Sequence, residues 1–412
     1  MGRYKGLWKL GERVMSREPV VGILVDYLSH YGRNVILGVG RYLRMHQRWT
    51  LVGEPRRVVA PIGNLRTWRG DGVIAQVWDD QRRDKVLAMK KRGIEVVDVG
   101  GVIPGLPLPQ VTPDDEAIGT MAADYFITRG FRRLAFSGPA GHAAADKRLK
   151  GFSDRAALAG ATVSIFEPRR LHRYAGGTEA DVGELGQWVQ SMLKPVGVLG
   201  WHDGRARQIA DACYHIGVRV PEDIAIVGVD DDEINCELAD PPLSSVAVPI
   251  EQVGYQAAVL LADLMAGRKK SAVRIVVPPI GVVTRRSSDS LAIEDPELVE
   301  VMRVIRNHAR KPLSVKELLR IVPMSRRNME RQFQKLIGHS PHAEIERVHL
   351  EQAKRLLAET DWPLPRIAAE SGYNSHEHFT HTFRNKIGVA PGAYRRRYRD
   401  QRPLPSVRGL VE

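Results

Sequence analysis

Carboxylates and indoles gather where short apolar runs end along the first 231 residues of this 412-residue chain. Asp26 and Tyr27 follow VVGILV, Trp78 follows DGVIAQV, Trp201 and Asp203 follow VGVLG, and Asp230 and Asp231 close IAIVGV. A carboxylate can accept two hydroxyl hydrogen bonds at once, and an indole can lie against the C–H face of a sugar ring. The same aspartates could simply cap the helices that follow them. Several of them together with tryptophans favour a carbohydrate-like pocket.

A second set of chemistry-bearing residues repeats at an offset of 50. Ser325 falls on Ser375, Met329 on Phe379, Phe333 on Phe383, Ile337 on Ile387, Gly338 on Gly388 and Pro341 on Pro391. Each copy opens on a helix-capping serine, carries one apolar stripe at i, i+4 and i+8, and stops at a glycine. With the stripe facing inward, Arg326, Arg327, Glu330 and Arg331 face out in the first copy. His376, Glu377, Thr380, His381 and Arg384 face out in the second, with His378 at the edge. Arginine can pair bidentately with guanine and glutamate can accept from the cytosine amino group, so these faces suit double-stranded DNA. The alternative is an ordinary solvated helix face.

Two kinds of element must position these sets. In residues 19–285, β-branched runs alternate with amphipathic stretches at 34–46, 80–92, 115–129, 204–216 and 251–267, which predicts parallel sheets covered by helices. Ligands bind beyond the carboxyl ends of such strands. In residues 296–400, each copy reads as a short helix, a turn and a longer helix. The stretch 343–359 reads as a spacer helix between the copies. Two units on one spacer would reach successive major grooves, about 34 Å apart. Residues 1–18 and 401–412 read as tails and 286–295 as a polar linker.

Charge divides along the same line. Residues 301–412 hold 22 Lys/Arg against 11 Asp/Glu, leaving 39 against 37 for residues 1–300. A basic end on a nearly neutral body is the footprint of a nucleic-acid partner. RNA is disfavoured, because the deep, narrow groove of an A-form helix does not admit a reading helix. Cys213 and Cys236 lack CxxC spacing, so neither a disulfide framework nor a zinc ribbon is expected. No signal peptide or membrane-length apolar run is evident, which gives a cytoplasmic expectation with no membrane partner.

Catalytic motifs are missing. Gly38-Val39-Gly40 has Leu43 where a dinucleotide loop needs its third glycine, and neither GxxxxGK[ST] nor GxSxG occurs. HEHFTH (376–381) lacks the i, i+4 histidine pair of a zinc helix. The expectation is therefore no enzyme, no cofactor and no metal.

Four segments carry a resemblance. IGVRVPEDIAIVGVDDDE (216–233), PPLSSVAVPIEQVGYQAAVLLADLMAG (241–267), KRLKGF (147–152) and WHDGRA (201–206) resemble the sugar-binding domain of the LacI/GalR family. The resemblance implies a two-lobed, periplasmic-binding-protein-like α/β fold (type I) closing on a small molecule. By position it implies that Arg148, Asp203 and Asp231 contact that ligand. LacI relatives place a DNA-binding unit ahead of this domain, and eighteen residues before Pro19 are too few for one.

SRRNMERQFQKLIGHSP, RVHLEQAKRLL and IAAESGYNSHEHFTHTFRNKIGVAPGAYRRR closely resemble the C-terminal domain of the AraC/XylS family. This implies an all-α domain with two helix–turn–helix units, in which Arg327, Glu330, Arg331, Glu377, His378 and His381 read the groove. Together the two resemblances imply a sugar-responsive transcription factor, usually a homodimer on promoter half-sites. It would activate pentose catabolic genes, with D-xylose as ligand and RNA polymerase as a further partner. The alternatives are a regulator answering another sugar, or a carbohydrate receptor whose basic end serves protein contacts.

Overall fold

The computed structural model describes residues 18–46, 48–52, 68–167, 179–268, 273–290, 292 and 295–399. Nearly all of both expected tails and part of the expected linker lie outside them. The chain forms two compact units, one of residues 1–112 with 253–275, the other of residues 113–252 with 276–412.

The first sheet contains β1 (Val20–Leu24), β2 (Thr50–Val52), β3 (Gly72–Ala75), β4 (Glu95–Asp98) and β5 (Gln110–Pro113). The second contains β6 (Arg133–Ser137), β7 (Thr162–Phe166), β8 (Val196–Gly200), β9 (Ile224–Val229) and β10 (Ser244–Ala247). Two late strands join as edges, β11 (Arg274–Val277) to the first sheet and β12 (Gly281–Val283) to the second. Strand order is β11-β5-β4-β3-β1-β2 and β12-β10-β9-β8-β6-β7. Every registered pairing is parallel except β10 with β12. β3, β8 and β9 are buried along their whole length. That explains their unbroken apolar sequence, since a sheet covered on both faces needs no polar alternation.

Helices α1 (His30–Met45), α2 (Asp80–Lys91), α3 (Asp115–Ile127), α4 (Ala143–Leu158), α5 (Glu179–Ser191), α6 (Asp203–His215), α7 (Glu233–Leu238) and α8 (Ile250–Met265) supply the crossovers. In the second unit α3 and α4 cross with their backbones touching. A Cβ on Gly119 would stand 1.9 Å from the Arg148 carbonyl oxygen, and one on Gly151 would stand 2.1 Å from that of Glu116. The glycine of KRLKGF is thus required by a helix crossing, which also fixes Arg148 one turn earlier on α4.

The expected linker begins late. Ser287 and Ser288 are buried: the Ser287 hydroxyl donates to the Ile226 carbonyl at 2.7 Å and that of Ser288 to Ser244 Oγ at 2.7 Å. Residues 286–288 therefore belong to the α/β body, because their polar groups are satisfied inside it.

The helical domain comprises α9 (Pro296–Asn307), α10 (Val315–Ile321), α11 (Arg326–Gln332), α12 (Pro341–Glu359), α13 (Leu364–Ala369), α14 (His376–Ile387) and α15 (Pro391–Arg399). It has two cores. Leu298, Met302, Met329, Phe333 and Ile337 pack in one, and Leu357, Ile367, Phe379, Phe383 and Tyr394 in the other. α12 gives Ile345 and Val348 to the first and Leu350, Ala353 and Leu356 to the second. A spacer rooted in both cores holds the two units at a fixed separation.

Candidate sugar and nucleic-acid sites

In the first unit, Asp26 and Tyr27 form the turn after β1. The Asp26 amide donates to Gln76 Oε1 at 3.1 Å, and its carboxylate accepts from the Leu28 amide at 3.0 Å. Tyr27 is 37 % exposed. The Arg82 guanidinium lies 3.3 Å over the Trp78 ring and donates to the Leu24 and Gln76 carbonyls, covering one indole face with a cation. Asp79 turns out to be the cap of α2, accepting from the Arg82 amide at 2.7 Å.

In the second unit the carboxyl ends of β8 and β9 carry the densest polar cluster. Arg148 is 5 % exposed; its Nε donates to Asp115 Oδ1 at 2.9 Å, another nitrogen donates to the Trp201 carbonyl, and Nη2 stands 3.8 Å from Asp230 Oδ1. Asp230 and Asp231 hold φ angles of +101° and +54°, a left-handed conformation that costs side-chain-bearing residues of order 1–3 kcal/mol each. Their neighbours enforce it. The Asp231 amide donates to Ser245 Oγ at 3.0 Å, and the Asp232 amide to Asp203 Oδ2 at 2.7 Å. Asp231 itself pairs with Arg285 at 2.9 Å.

Asp203 belongs to the same cluster. It is 2 % exposed, with Oδ1 accepting from Ser245 Oγ at 2.6 Å and Oδ2 from the Asp232 amide. Burial, reinforced by the nearby charges of Asp230 and Asp231, pushes its carboxyl well above the usual range. Asp203 therefore braces the strained 230–232 turn.

Trp201 is flanked by imidazoles, with ring centroids 4.8 Å from His142 and 4.4 Å from His202. His202 Nδ1 accepts from the Arg205 amide at 3.0 Å as the cap of α6. Burial, with Arg148 and Arg205 adding to it, pushes its pKa down to about 3, so the ring is neutral. Asp115, Arg285 and His142 were not singled out by sequence, whereas His202 stands with Trp201 and Asp203 among the residues at a strand end. Asp115 gave no signal, because only the α3–α4 crossing brings it to Arg148.

The helical domain presents both reading helices. Ser325 and Ser375 cap α11 and α14, and Gly338 and Gly388 stop them at φ +89° and +81°. Arg326, Arg327, Glu330, Arg331, Glu377, His378, His381 and Arg384 are exposed, while His376 and Thr380 are half-buried. Arg326 pairs with Glu330 at 2.9 Å, and Arg331 donates to Asn328 Oδ1 at 2.8 Å, so the first face is pre-ordered. The copies end differently. The Gly338 amide reaches back five residues to the Phe333 carbonyl, a widened final turn, whereas that of Gly388 reaches back four to Arg384. Widened turns of this kind are frequent at functional sites. Among the described residues no group of His, Cys, Asp and Glu is placed to hold a metal, and no helix is long and apolar enough to cross a membrane.

Residues 52–180 match the model for periplasmic binding proteins and the sugar-binding domain of the LacI family. Residues 123–288 match a periplasmic binding protein-like domain and 318–397 a helix–turn–helix domain. The xylose operon regulatory protein of Escherichia coli K12 is 33 % identical over 93 % of this chain and 98 % of its own. The chain belongs to the xylose operon regulatory protein family. The Haemophilus influenzae member is 28 % identical over 91 % of this chain. A solved structure titled "structure of xylose-binding transcription activator xylR" superposes with a TM-score of 0.60 at 30 % identity, covering 93 % of this chain and 99 % of that one. A cellobiose complex of the transcriptional regulator CelR gives 0.54 at 25 % identity over 67 % of this chain and 86 % of its own. The protein is a sugar-responsive, DNA-binding transcription regulator, in a family that is not enzymatic, and its partners are a sugar and DNA.

Proposed function

We propose that the ligand is D-xylose or a closely similar pentose, and that its binding turns on pentose catabolic genes. One observation carries the ligand site: Asp230 Oδ1 is buried and, among the described residues, has no hydrogen-bond partner, on a strained residue facing Arg148. A sugar hydroxyl donating to Asp230 Oδ1, beside the Arg148 guanidinium, would satisfy that oxygen. Asp231 and Trp201 at the same strand ends complete the contacts proposed in the second unit; Asp26, Tyr27 and Trp78 are those proposed in the first.

On the DNA side, Arg326, Arg327, Glu330 and Arg331 form one reader and His376, Glu377, His378, Thr380, His381 and Arg384 the other. The arginine-rich copy supplies more phosphate attraction and the histidine-rich copy more discrimination. The active species is a cytoplasmic homodimer on repeated promoter half-sites, positioned to contact RNA polymerase. Sugar binding shifts the population toward the arrangement that holds DNA. Gel-shift titration of promoter DNA with and without D-xylose tests this, with tighter binding expected in sugar. No DNA binding under any sugar would refute it.

A further inference from the structure

The turn after α3 faces the helical domain within the same unit. Arg132 donates to the Ile127 carbonyl at 3.4 Å and the Phe131 carbonyl at 3.2 Å, and also to the Leu336 carbonyl. Ile127 ends α3, and Leu336 lies in the widened last turn of the first reading helix. One cation thus sits at the carboxyl ends of two helices, where terminal carbonyls lack intrahelical donors and the dipoles favour positive charge.

A second contact lies beside it. Arg129 stacks 3.3 Å over the Tyr125 ring, and its carbonyl accepts from the Ala292 amide at 2.9 Å. Arg306 of α9 and the Glu344–Arg347 pair of α12 stand near enough to act on its charge. Glu344 is fully buried, accepting from Arg347 at 2.6 and 2.8 Å and contacting His339 Nε2 at 2.9 Å. His339 and Glu344 flank the step from the reading helix into α12.

The opposite end of α3 begins at Asp115, the partner of Arg148. Between the ends, the Gly119/Gly151 crossing leaves no space for α3 to slide on α4. A helix of 13 residues is about 20 Å long, so one stiff element touches the proposed sugar contact and the first reading helix.

We propose that α3 is the strut by which the sugar lobe sets the pose of the first reading helix, with Arg132 as the positioning residue that joins them. The inference rests on the sugar reading above. A sugar hydroxyl at Arg148 and Asp230 competes for the guanidinium that Asp115 now holds. Because the crossing locks α3 to α4, the two helices move as one body, and that movement reaches Leu336 through Arg132, biasing the α11 pose toward or away from the groove. The second reader, whose final turn accepts nothing from the sugar lobe among the described hydrogen bonds, follows through α12.

The test uses the full chain and promoter DNA, with DNA affinity measured with and without saturating D-xylose. Calorimetry should give Arg132→Ala a D-xylose Kd within about twofold of wild type. Its ratio of DNA affinities with and without sugar should fall to within about twofold of unity, and Arg132→Lys, which keeps a donor, should recover most of the ratio. A wild-type ratio in Arg132→Ala overturns the proposal, as does an equal loss of DNA binding in both states. Hydrogen exchange on the wild-type protein gives a reading that needs no variant: D-xylose should change protection across residues 333–340, and unchanged protection there also overturns it. A wild type whose DNA binding ignores sugar altogether would instead refute the function proposed above.

Discussion

Gly119→Ala replaces one hydrogen by a methyl group in the middle of α3, and the structure gives its consequence. The new carbon would lie 1.9 Å from the Arg148 carbonyl oxygen and 2.8 Å from the Phe152 nitrogen. Both are backbone atoms, so no side chain can swing aside. Ordinary contact requires the helices to part by more than about 1 Å, and overpacking of that kind costs about 1–3 kcal/mol. Alanine returns up to about 1 kcal/mol in helix propensity, so the net loss of stability should be about 0–2 kcal/mol. The larger effect falls on Arg148, whose backbone is the one displaced. Losing a single charge-assisted hydrogen bond to the sugar costs about 1.5–3 kcal/mol, which is roughly 10- to 150-fold in Kd. Denaturant unfolding and xylose calorimetry on the same preparation separate the two effects. Reduced stability with unchanged xylose affinity would remove Arg148 from the proposed site; a gain in stability would refute the crossing argument itself.

Three further outcomes are expected. Asp203→Asn replaces an acceptor of two buried donors by a group with one acceptor oxygen, so it should destabilise by about 1–3 kcal/mol and weaken sugar binding through the 230–232 turn. A variant matching wild type in both melting and calorimetry would contradict the bracing role. Glu344→Ala leaves Arg347 without its buried partner and should cost about 3–5 kcal/mol in urea unfolding. Burial pushes the Glu344 carboxyl up, but Arg347 and His339 overcome this and hold it down to about 2 against an ordinary 4.5. Its contribution is therefore present above pH 4.5 and lost as pH falls toward 2, so the stability gap between wild type and Glu344→Ala should narrow over that window. Arg331→Ala should weaken cognate DNA binding by about 1–3 kcal/mol and relax base preference at one position, and unchanged cognate affinity in a gel shift would exclude it as a reader.

Much of this architecture could be read directly from residue order. The apolar runs at β1, β3, β8 and β9 are contiguous because those strands are buried on both faces, and the 50-residue repeat survives because each copy must fill its own core with the same stripe. What escaped were the edges and the strands just inside two of them, β5 and β10. β2 has no buried residue, and β11 and β12 are short strands that reach their sheets only after α8. Local sequence holds little information about partners so distant.

The proposed sites divide in the same way. Helical periodicity alone shows which faces of α11 and α14 point outward, because every third or fourth residue must enter a core; the chain by itself therefore determines the two faces proposed as readers. The sugar face depends on contacts between residues far apart. Sequence could place Asp203, Asp230 and Asp231 at strand ends but could not tell a brace from a ligand contact. That difference depends on Ser245 and the Asp232 amide, which the pairing of β9 with β10 brings to the Asp203 carboxylate. Likewise only the tertiary structure joins Asp115 to Arg148 and Arg132 to Leu336, residues 33 and 204 positions apart, because helix crossings and domain packing are set by summed burial rather than by any local motif.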